Sequence, residues 1–295
     1  MRVFVTGASG FVGSAIVKEL LQAGHSVLGM VRTGSAAQAL ADIGAGAHPG
    51  NLDDLQSVQA GVTGCDAVIH TAFNHDFSRF KENCEADRRV ILALGAALEG
   101  SNRPLVITSG TGLINTGRLL TEEDMPPSSD IVPRAASEEA ARAVAAKGVN
   151  AYITRLPPTV HGKGDHGFIP VIINTAREKQ QSVYIGEGQN HWPAVHRLDA
   201  AALYRLVVEK QPAQRVYHAV GEQGIPFKEI AAAIGRGLHI PTVSMQGSEA
   251  EAHFGWFTHF ASLGSPASSA RTSEVLGWQP HHPGLLEELV PGIYF

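Results

Sequence analysis

Two hydrophobic periodicities alternate along the first two-thirds of the chain. Short runs of consecutive apolar and β-branched residues, as in residues 2–6 and 104–110, are typical of strands buried on both faces of a sheet. Between these runs, apolar residues recur at helical spacing, as Ile16 and Leu20 do before Gly24. We predict strands over residues 2–6, 26–31, 66–73, 104–110 and 150–156, and helices that end at Gly24 or cover residues 35–43, 80–98 and 134–147.

Strands that alternate with helices of this length predict parallel βαβ units with right-handed crossovers. The predicted fold class is therefore α/β, a doubly wound parallel sheet of the Rossmann type. After about residue 157, segments rich in Gly, Pro, His and Trp separate helical stretches at 169–179 and 198–209. We predict a dinucleotide-binding domain over residues 1–160 and a smaller, interleaved substrate-binding cap over residues 161–295, part of which returns to the sheet.

Composition narrows the classes of function. The chain has 295 residues, 44% hydrophobic and 17% charged, which is enough to bury a sizeable core. The net charge of −5 gives no basic surface, so we expect a small-molecule substrate, no nucleic acid and no membrane as partners. Cys65 and Cys84 lack metal or redox spacing, and no segment is apolar enough for a signal peptide or a membrane span. We therefore expect a cytoplasmic protein.

A glycine-rich turn joins the first predicted strand to the first helix. In "VTGASGFVGSAI", Gly7 permits a tight turn, Gly10 lets the backbone approach a pyrophosphate, and Gly13 lets the helix pack close to the strand. The amide groups at the N-terminus of the helix would bind the anion. This strand–turn–helix context predicts a dinucleotide site.

The end of the second strand indicates which dinucleotide binds. An NAD site usually has an acidic residue about 20 residues after the glycines, where it binds the ribose 2′-hydroxyl. Arg32, Thr33 and Ser35 occur here without any acid, and a guanidinium with hydroxyls suits a 2′-phosphate. We therefore predict NADP(H) as the cofactor. The predicted cofactor-binding residues are Thr6, Gly7, Gly10, Phe11, Val12, Gly13, Arg32, Asn51, Leu52, Thr71, Ala72, Phe73, Leu156 and Pro157.

Four segments resemble the short-chain dehydrogenase/reductase superfamily. They are "TGASGFVG" (6–13), "VITSG" (106–110), "TRLPPTVHG" (154–162) and "VHRLDAA" (195–201). The resemblance covers most of the chain and is closest to extended and atypical members grouped as NAD(P)-dependent epimerases or dehydratases. It implies a Rossmann fold, a nicotinamide cofactor, and a site in which a Ser or Thr, a Tyr, a Lys and an Asn act together.

This chain keeps only one residue of that tetrad. In the superfamily the Tyr exchanges the proton, the Lys lowers the Tyr pKa, the Ser orients the substrate and the Asn supports a water relay. Ser109 matches the Ser, whereas Arg134 and Glu138 stand at the Tyr and Lys positions. Asp87 stands where extended members carry Asn. The resemblance implies that an eroded tetrad with this Asp is common among atypical members.

Arg134 cannot usefully donate a proton at neutral pH, because the arginine pKa exceeds about 12. It could instead stabilise an oxyanion or bind a substrate carboxylate through paired N–H donors. Glu138, one turn later, could form an i,i+4 ion pair with Arg134 or be a solvated helix residue. An imidazole such as that of His161 titrates near working pH and could replace the missing acid. The candidate catalytic residues are Ser109, Arg134, Asp87, Glu138 and His161.

The histidine-rich loops supply candidates for substrate contacts. The loop of His161 and His166 lacks the second, spaced ligand pair of a zinc site, so we predict no metal. His196 and Asp199 are interpreted as a strand-to-helix junction in which Asp199 is the N-cap. The predicted substrate-contacting residues are His75, Asp76, Thr111, His166 and Trp192.

Three functions remain open at this point. The preferred one is an NADP(H)-dependent oxidoreductase that transfers hydride to a small carbonyl, imine or activated alkene, with Ser109 orienting the substrate and Arg134 replacing the Tyr. The alternatives are a redox-neutral epimerase, dehydratase or isomerase, and a non-catalytic NADP(H)-binding sensor. In relatives, the long helix and the 134–147 helix form a shared dimer face, which makes a homodimer a candidate assembly.

Overall fold

A seven-stranded parallel sheet lies at the centre of the structure, a computed structural model that describes residues 1–295. In chain order the strands are β1 (Arg2–Thr6), β2 (Ser26–Val31), β3 (Gly46–Pro49), β4 (Ala67–His70), β5 (Pro104–Gly110), β6 (Asn150–Leu156), β7 (Thr159–His161), β8 (Ser182–Ile185), β9 (His191–His196), β10 (Val216–His218), β11 (Glu222–Pro226) and β12 (Thr242–Met245). The central sheet has the order β3-β2-β1-β4-β5-β6-β10, with every neighbouring pair parallel. The predicted doubly wound sheet is confirmed.

Helices cover both faces of this sheet. They are α1 (Phe11–Gln22), α2 (Gly34–Asp42), α3 (Leu55–Gly61), α4 (Phe80–Leu98), α5 (Ala136–Ala146), α6 (Phe168–Lys179), α7 (Arg197–Lys210), α8 (Phe227–Leu238), α9 (Gly247–Phe254), α10 (Thr258–Ser262), α11 (Ala270–Leu276) and α12 (Leu285–Glu288). One face packs against α1 and α7, and the other against α3, α4 and α5. None of the helices has both the length and the apolar character that crossing a membrane requires.

The continuous apolar character of the strands follows from this two-sided cover. Side chains alternate across a strand, so Val3 and Val5 pack towards α1 and α7 while Phe4 packs towards α3 and α4. All three side chains are completely buried. A strand with only one buried face would instead show alternating polar residues.

The chain returns to the central sheet after it has begun the C-terminal layer. Helix α7 packs on α1, and β10 pairs in parallel with β6 at the sheet edge. The three-stranded β11-β9-β7 sheet and the β12-β8 pair lie outside the central sheet. A separate hydrophobic core, formed by α6, α8, α9, α10 and neighbouring strands, surrounds Trp192 and Phe257. Residues 197–218 thus complete the central sheet and its helical cover, although they follow residue 160.

Two predicted elements near the candidate site differ from the observed ones by more than one residue at an end. The helix predicted from residue 134 begins at Ala136, because Pro133–Ala135 form a short 3₁₀ turn in front of it. The strand predicted over residues 66–73 ends at His70, where the chain leaves the sheet. Both differences lie at the sheet edge where the candidate site is found.

Candidate functional site

The glycine turn between β1 and α1 contains close contacts that only glycine permits. Gly7 has a φ of +70°, and a Cβ on it would lie 2.8 Å from the backbone nitrogen of Ala72. A Cβ on Gly13 would collide with the carbonyl oxygen of Gly7. Helix α1 begins at Phe11 without a side-chain cap, so its first amide groups are available to an anion. The turn therefore fits a dinucleotide pyrophosphate.

The end of β2 carries a positive charge and two hydroxyl groups. Arg32 follows the strand directly and is exposed. Thr33 caps α2 by accepting a hydrogen bond from the Ala36 amide at 3.2 Å, and its hydroxyl lies 3.1 Å from that of Ser35. Residues 32–36 include no acid. This end of the strand therefore lacks the carboxylate that would bind a ribose 2′-hydroxyl.

The other predicted cofactor residues lie near the carboxyl ends of neighbouring parallel strands. The Thr71 hydroxyl donates to the Thr6 carbonyl at 2.8 Å, which joins the end of β4 to the end of β1. After β3, the Asn51 amide donates to the Ser57 hydroxyl at 3.1 Å. Leu52 follows β3, Ala72 and Phe73 follow β4, and Leu156 and Pro157 lie at the end of β6. Parallel strand order therefore gathers these positions along one edge of the sheet.

A buried hydrogen-bond chain connects β1, β4 and α4. Thr6 and His70 are partners in the β1–β4 register, and the Thr6 hydroxyl lies 2.7 Å from Nδ1 of His70. Nε2 of His70 lies 2.9 Å from Oδ1 of Asp87. When Nε2 carries the proton and donates to Asp87, Nδ1 accepts from the Thr6 hydroxyl. His70 was not among the residues predicted for the site. The sequence feature that could have identified it is a polar residue at the end of the buried apolar run "AVIH".

Arg134 completes this chain beside the carboxyl ends of β4 and β5, the edge of the sheet that we call the cleft. Its Nη1 lies 2.9 Å from Oδ2 of Asp87 and also contacts the Ser137 hydroxyl, which itself donates to Asp87. Its Nη2 donates to the Thr108 carbonyl at 3.1 Å. The guanidinium carbon lies 4.1 Å from the centre of the Phe73 ring, within the range of a cation–π contact. The side chain is held from several sides and is 13% exposed.

The Asp87 carboxylate remains ionised within this chain. Burial opposes ionisation, but the Arg134 charge and the interactions with His70 outweigh it and hold the Asp87 pKa at about 2. Asp87 and Arg134 are therefore both charged at neutral pH, and the pair has no net charge. Asp87 acts as a positioning residue for Arg134, since it fixes the guanidinium without itself reaching the cleft surface.

Glu138 is completely buried and binds two arginines, so it is not a solvated helix residue. Oε1 accepts from Ser109 Oγ at 2.8 Å and from Arg155 Nε at 2.7 Å. Oε2 accepts from Nη2 of Arg155 at 2.9 Å and of Arg142 at 2.7 Å. The expected i,i+4 pair with Arg134 is not formed, because Arg134 precedes α5 and points towards Asp87. The i,i+4 partner of Glu138 is Arg142.

Sheet register explains how this second buried network forms. Ser109 is paired with Arg155 in the β5–β6 register, and Arg155 with His218 in the β6–β10 register, so these side chains share one face. Arg155 Nη1 lies 3.2 Å from Nε2 of His218. Burial works against ionisation of Glu138, yet its hydrogen bonds and charge attraction with Arg155 lower its pKa below the usual value. Glu138 therefore anchors α5 to the sheet and orients the Ser109 hydroxyl.

Two predicted substrate residues, His75 and His166, lie in the loops that follow β4 and β7. Both residues are exposed. Desolvation in the cleft lowers the pKa of His75, and the positive charges of Arg134 and His166 lower it further. The His166 ring lies 5.6 Å from that of Phe11 in the glycine turn, and His75 lies 5.1 Å from Phe73. The structure thus brings the loop after β4 and the loop after β7 to the same cleft.

The other three predicted substrate residues do not present free groups to this cleft. Asp76 caps the short turn Phe77–Arg79 by accepting from the Ser78 amide at 3.0 Å. Thr111 is completely buried, with a hydroxyl that has no hydrogen-bond partner. Trp192 is 1% exposed in the C-terminal core, where its indole N–H donates to the Leu263 carbonyl at 2.9 Å. Its large apolar surface serves packing in that core instead.

His161, a candidate catalytic residue, belongs to a separate buried cluster. Its Nδ1 lies 2.7 Å from Oε2 of Glu288, and its ring centre lies 5.5 Å from that of His196. Burial lowers the pKa of His161 to about 4 and raises that of Glu288. No hydrogen bond connects His161 with Arg134 or Asp87. Its position supports a contact between β7 and α12.

His196, Asp199 and His282 place potential ligand atoms within 4.8 Å of one another. Nδ1 of each histidine and both carboxylate oxygens of Asp199 are engaged in hydrogen bonds. Nδ1 of His196 accepts from the Leu198 amide, which makes His196, rather than Asp199, the N-cap of α7. Asp199 accepts from the amides of His281 and His282 and from Nδ1 of His282. The His196 and His282 rings are stacked, with their centres 4.6 Å apart. We assign no ion to this group.

Comparison with known proteins agrees with this architecture. The model of the NAD dependent epimerase/dehydratase family matches residues 3–220. An uncharacterized protein of Schizosaccharomyces pombe is 50% identical over 296 residues, covering 100% of both chains. A 2-alkyl-3-oxoalkanoate reductase of Stenotrophomonas maltophilia is 29% identical over 257 residues, covering 80% of this chain and 76% of the relative.

Among solved structures, a dTDP-glucose 4,6-dehydratase from Streptomyces venezuelae with NAD and TYD bound has a TM-score of 0.78. It is 20% identical, and the match covers 98% of this chain and 96% of that one, which supports the fold alone. With the glycine turn, the parallel sheet and the family match over residues 3–220, this chain belongs to the NAD dependent epimerase/dehydratase family.

Proposed function

We propose that this protein is an NADP(H)-dependent oxidoreductase that transfers hydride to a small carbonyl, imine or activated alkene. The position of Arg134 is the main observation behind the proposal. Asp87 and the Thr108 carbonyl hold its guanidinium at the carboxyl edge of the sheet, beside the end of β5. Ligands of open α/β sheets bind at this edge. The superfamily resemblance implies that the proton-exchanging Tyr would stand at this position.

The glycine turn and Arg32 are the residues that would hold the cofactor. The turn offers unpaired amide groups to the pyrophosphate, and Arg32 offers a guanidinium to the 2′-phosphate in place of the acid of NAD sites. When bound, NADPH supplies the hydride. The requirement for NADP(H) rather than NAD(H) rests on Arg32.

Arg134 would stabilise the charge that forms on the substrate oxygen. A guanidinium has five N–H groups, and three of those on Arg134 are hydrogen-bonded to Asp87, Ser137 and Thr108. The remaining two, on Nε and Nη2, are left for a substrate oxygen. A preorganised donor of this kind contributes about 3 kcal/mol to transition-state stabilisation. Water would then supply the proton, since a guanidinium does not release one.

The ion pair with Asp87 favours an uncharged acceptor over a carboxylate. The positive charge of Arg134 is already balanced by Asp87, so a substrate anion would gain little attraction in the ground state. An oxygen that becomes negative only during hydride transfer would gain the hydrogen bonds selectively in the transition state. A relative named 2-alkyl-3-oxoalkanoate reductase supports reduction of a ketone; its substrate also carries a carboxylate, so the preference for an uncharged acceptor rests on the Arg134–Asp87 pair alone.

Ser109 would have an indirect part in this reaction. Its hydroxyl donates its proton to Glu138, so the Ser109 oxygen can act towards a substrate only as a hydrogen-bond acceptor. It could therefore accept a hydrogen bond from a substrate hydroxyl or imine N–H, and it would orient the substrate in that way. A substrate carbonyl would depend on Arg134.

The proposal is tested by NADPH oxidation with a panel of ketones, aldehydes, imines and conjugated alkenes, with cofactor binding measured calorimetrically on the same samples. We expect turnover with at least one class and its loss in Arg134→Ala, while cofactor affinity stays within about twofold. Tight NADPH binding without oxidation by any acceptor would contradict the oxidoreductase proposal. That result would favour the redox-neutral enzyme or the sensor.

A further inference from the structure

Five aromatic side chains form a continuous surface between the loop after β4 and the C-terminal layer. We call this surface the aromatic wall; its residues are Phe77, Phe80, Phe168, Trp256 and Phe260. Phe77 is at its centre, stacked on Phe80 at 5.6 Å and on Trp256 at 5.5 Å between ring centres. It also meets Phe260 at 5.8 Å and Phe168 at 6.1 Å. These distances are in the range of favourable aromatic pairs.

Trp256 is the ring of the wall that is open to solvent. Trp256 is 58% exposed, whereas Trp192 and Trp278 are each 1% exposed. The other four rings of the wall are half-buried. Trp256, together with the partly accessible edges of the four neighbouring rings, forms an apolar surface of the kind that binds a ligand or partner.

The wall begins where the proposed site ends. Phe73 lies beneath the Arg134 guanidinium at 4.1 Å and meets Phe80 of the wall at 6.4 Å. His75 meets Phe73 at 5.1 Å and Phe77 at 6.4 Å. A path of ring contacts therefore leads from the free N–H groups of Arg134 to Trp256. A molecule bound at Arg134 and long enough to extend past Phe73 would reach the wall.

We propose that the aromatic wall binds a planar aromatic group of the substrate, so that the substrate is an uncharged aryl ketone or aryl-conjugated enone. The inference rests on the proposed function and identifies its substrate class. Phe77 already stacks on Phe80 and Trp256, so a flat ring would stack on the exposed Trp256 or meet the edges of the other rings, whereas a saturated ring is too thick for the same approach. The balanced Arg134–Asp87 pair directs the neutral carbonyl, rather than a charged group, to the guanidinium.

Matched ligand pairs provide a test that does not depend on turnover. Each pair combines one reactive head with either a phenyl or a cyclohexyl group, as in 4-phenylbut-3-en-2-one and 4-cyclohexylbut-3-en-2-one, or acetophenone and cyclohexyl methyl ketone. Affinities are measured calorimetrically in the presence of NADP⁺, which cannot reduce them. We expect the phenyl member to bind about two- to tenfold more tightly for each ring contact made.

Trp256 reports where the ligand binds, because it is the one exposed tryptophan of three. Phenyl members should quench its fluorescence in the wild type, and this quenching should disappear in Trp256→Phe although affinity is kept. Trp256→Leu should reduce the phenyl preference about two- to tenfold. Met125→Ala is the matched control, because Met125 is 60% exposed and lies outside the wall.

Equal affinity within every pair, or no binding by any phenyl member, would overturn the proposal. So would a phenyl preference that survives in Trp256→Leu and in Phe260→Leu. The wall would then serve only to join the loop after β4 to the C-terminal layer. Binding is measured without reaction, so a failure of NADPH oxidation would contradict the oxidoreductase proposal while leaving this result unchanged.

Discussion

Arg134 and Asp87 are separated by 47 residues in the chain, yet Nη1 and Oδ2 lie 2.9 Å apart. Asp87 is fixed in turn by His70, which is bound to Thr6 at the end of β1. The guanidinium at the mouth of the cleft is therefore tied to the strand that leads into the glycine turn. This connection places a rigid hydrogen-bond donor next to the predicted cofactor site.

Arg134→Lys should separate the geometry of this donor from its charge. Lysine keeps a positive charge near Asp87 but loses the planar fork, so we expect kcat to fall roughly a hundredfold on the best acceptor of the panel. The thermal midpoint should change little, because the buried carboxylate keeps a cation beside it. Arg89→Lys, at an exposed position on α4, should behave as wild type. An unchanged kcat in Arg134→Lys would contradict the assigned role.

Asp87→Asn should change how stability depends on pH. The Asp87 pKa is lowered from 3.8 to about 2 in the fold, so its ionised form contributes stability above pH 3.8 that is lost as the pH falls towards 2. The contribution is about 2 kcal/mol. Denaturation at pH values across this window should show a steeper loss for wild type than for Asp87→Asn. Asp42→Asn, an exposed control, should keep the wild-type slope; identical slopes for all three proteins would contradict the prediction.

Glu138→Gln should destabilise the fold strongly, because it leaves the Arg155 guanidinium buried without its carboxylate. We expect a loss of about 3–5 kcal/mol in the free energy of unfolding. The double variant Glu138→Gln/Arg155→Met should lose less than the sum of the two single variants, since no unpaired buried charge remains. Urea denaturation measures both effects.

An exposed ion pair provides the control for that experiment. Arg79 and Glu82 are 66% and 65% exposed, so Glu82→Gln should change stability by less than about 1 kcal/mol. If Glu138→Gln were as mild as Glu82→Gln, Glu138 would not be the anchor that we assign.

Arg32→Ala should change the preference between the two dinucleotides. Loss of hydrogen bonds from a charged donor to the 2′-phosphate should raise KM for NADPH about 10- to 100-fold and leave KM for NADH unaltered. Arg177→Ala, an exposed arginine on α6, should affect neither constant. Steady-state kinetics with both cofactors make the comparison, and an unchanged ratio would show that another residue selects the cofactor.

The fold could be predicted from local patterns in the chain. Runs such as "RVFVT" and "PLVITSG" correspond to β1 and β5, and residues 80–98 form α4 as predicted. The glycine positions followed from the strict spatial needs of a strand–turn–helix junction. These features depend on neighbours within a few residues, so they are readable in a single sequence.

The burial of Glu138 could not be predicted from the residues around it in the chain. On a helix of alanines and two adjacent acids, it has the appearance of a surface residue, and its neighbour Glu139 is indeed partly exposed. Its burial depends on Arg155 from β6, and on the register that sets Arg155 beside Ser109. A local sequence pattern does not show which residue of a neighbouring strand will lie next to a given side chain.

Local patterns also gave the wrong role for His70 and Trp192. His70 was overlooked as the last residue of a strand, although it binds Thr6 and Asp87; Trp192 was expected in the cleft, although it fills the C-terminal core. The sequence by itself determined the alternating elements, the glycine turn and the edge of the sheet where ligands meet the chain, because hydrophobic period and turn sterics are local. Only the tertiary structure decided which charges became partners and which aromatic rings remained open, because strand order and register bring together residues far apart in the chain.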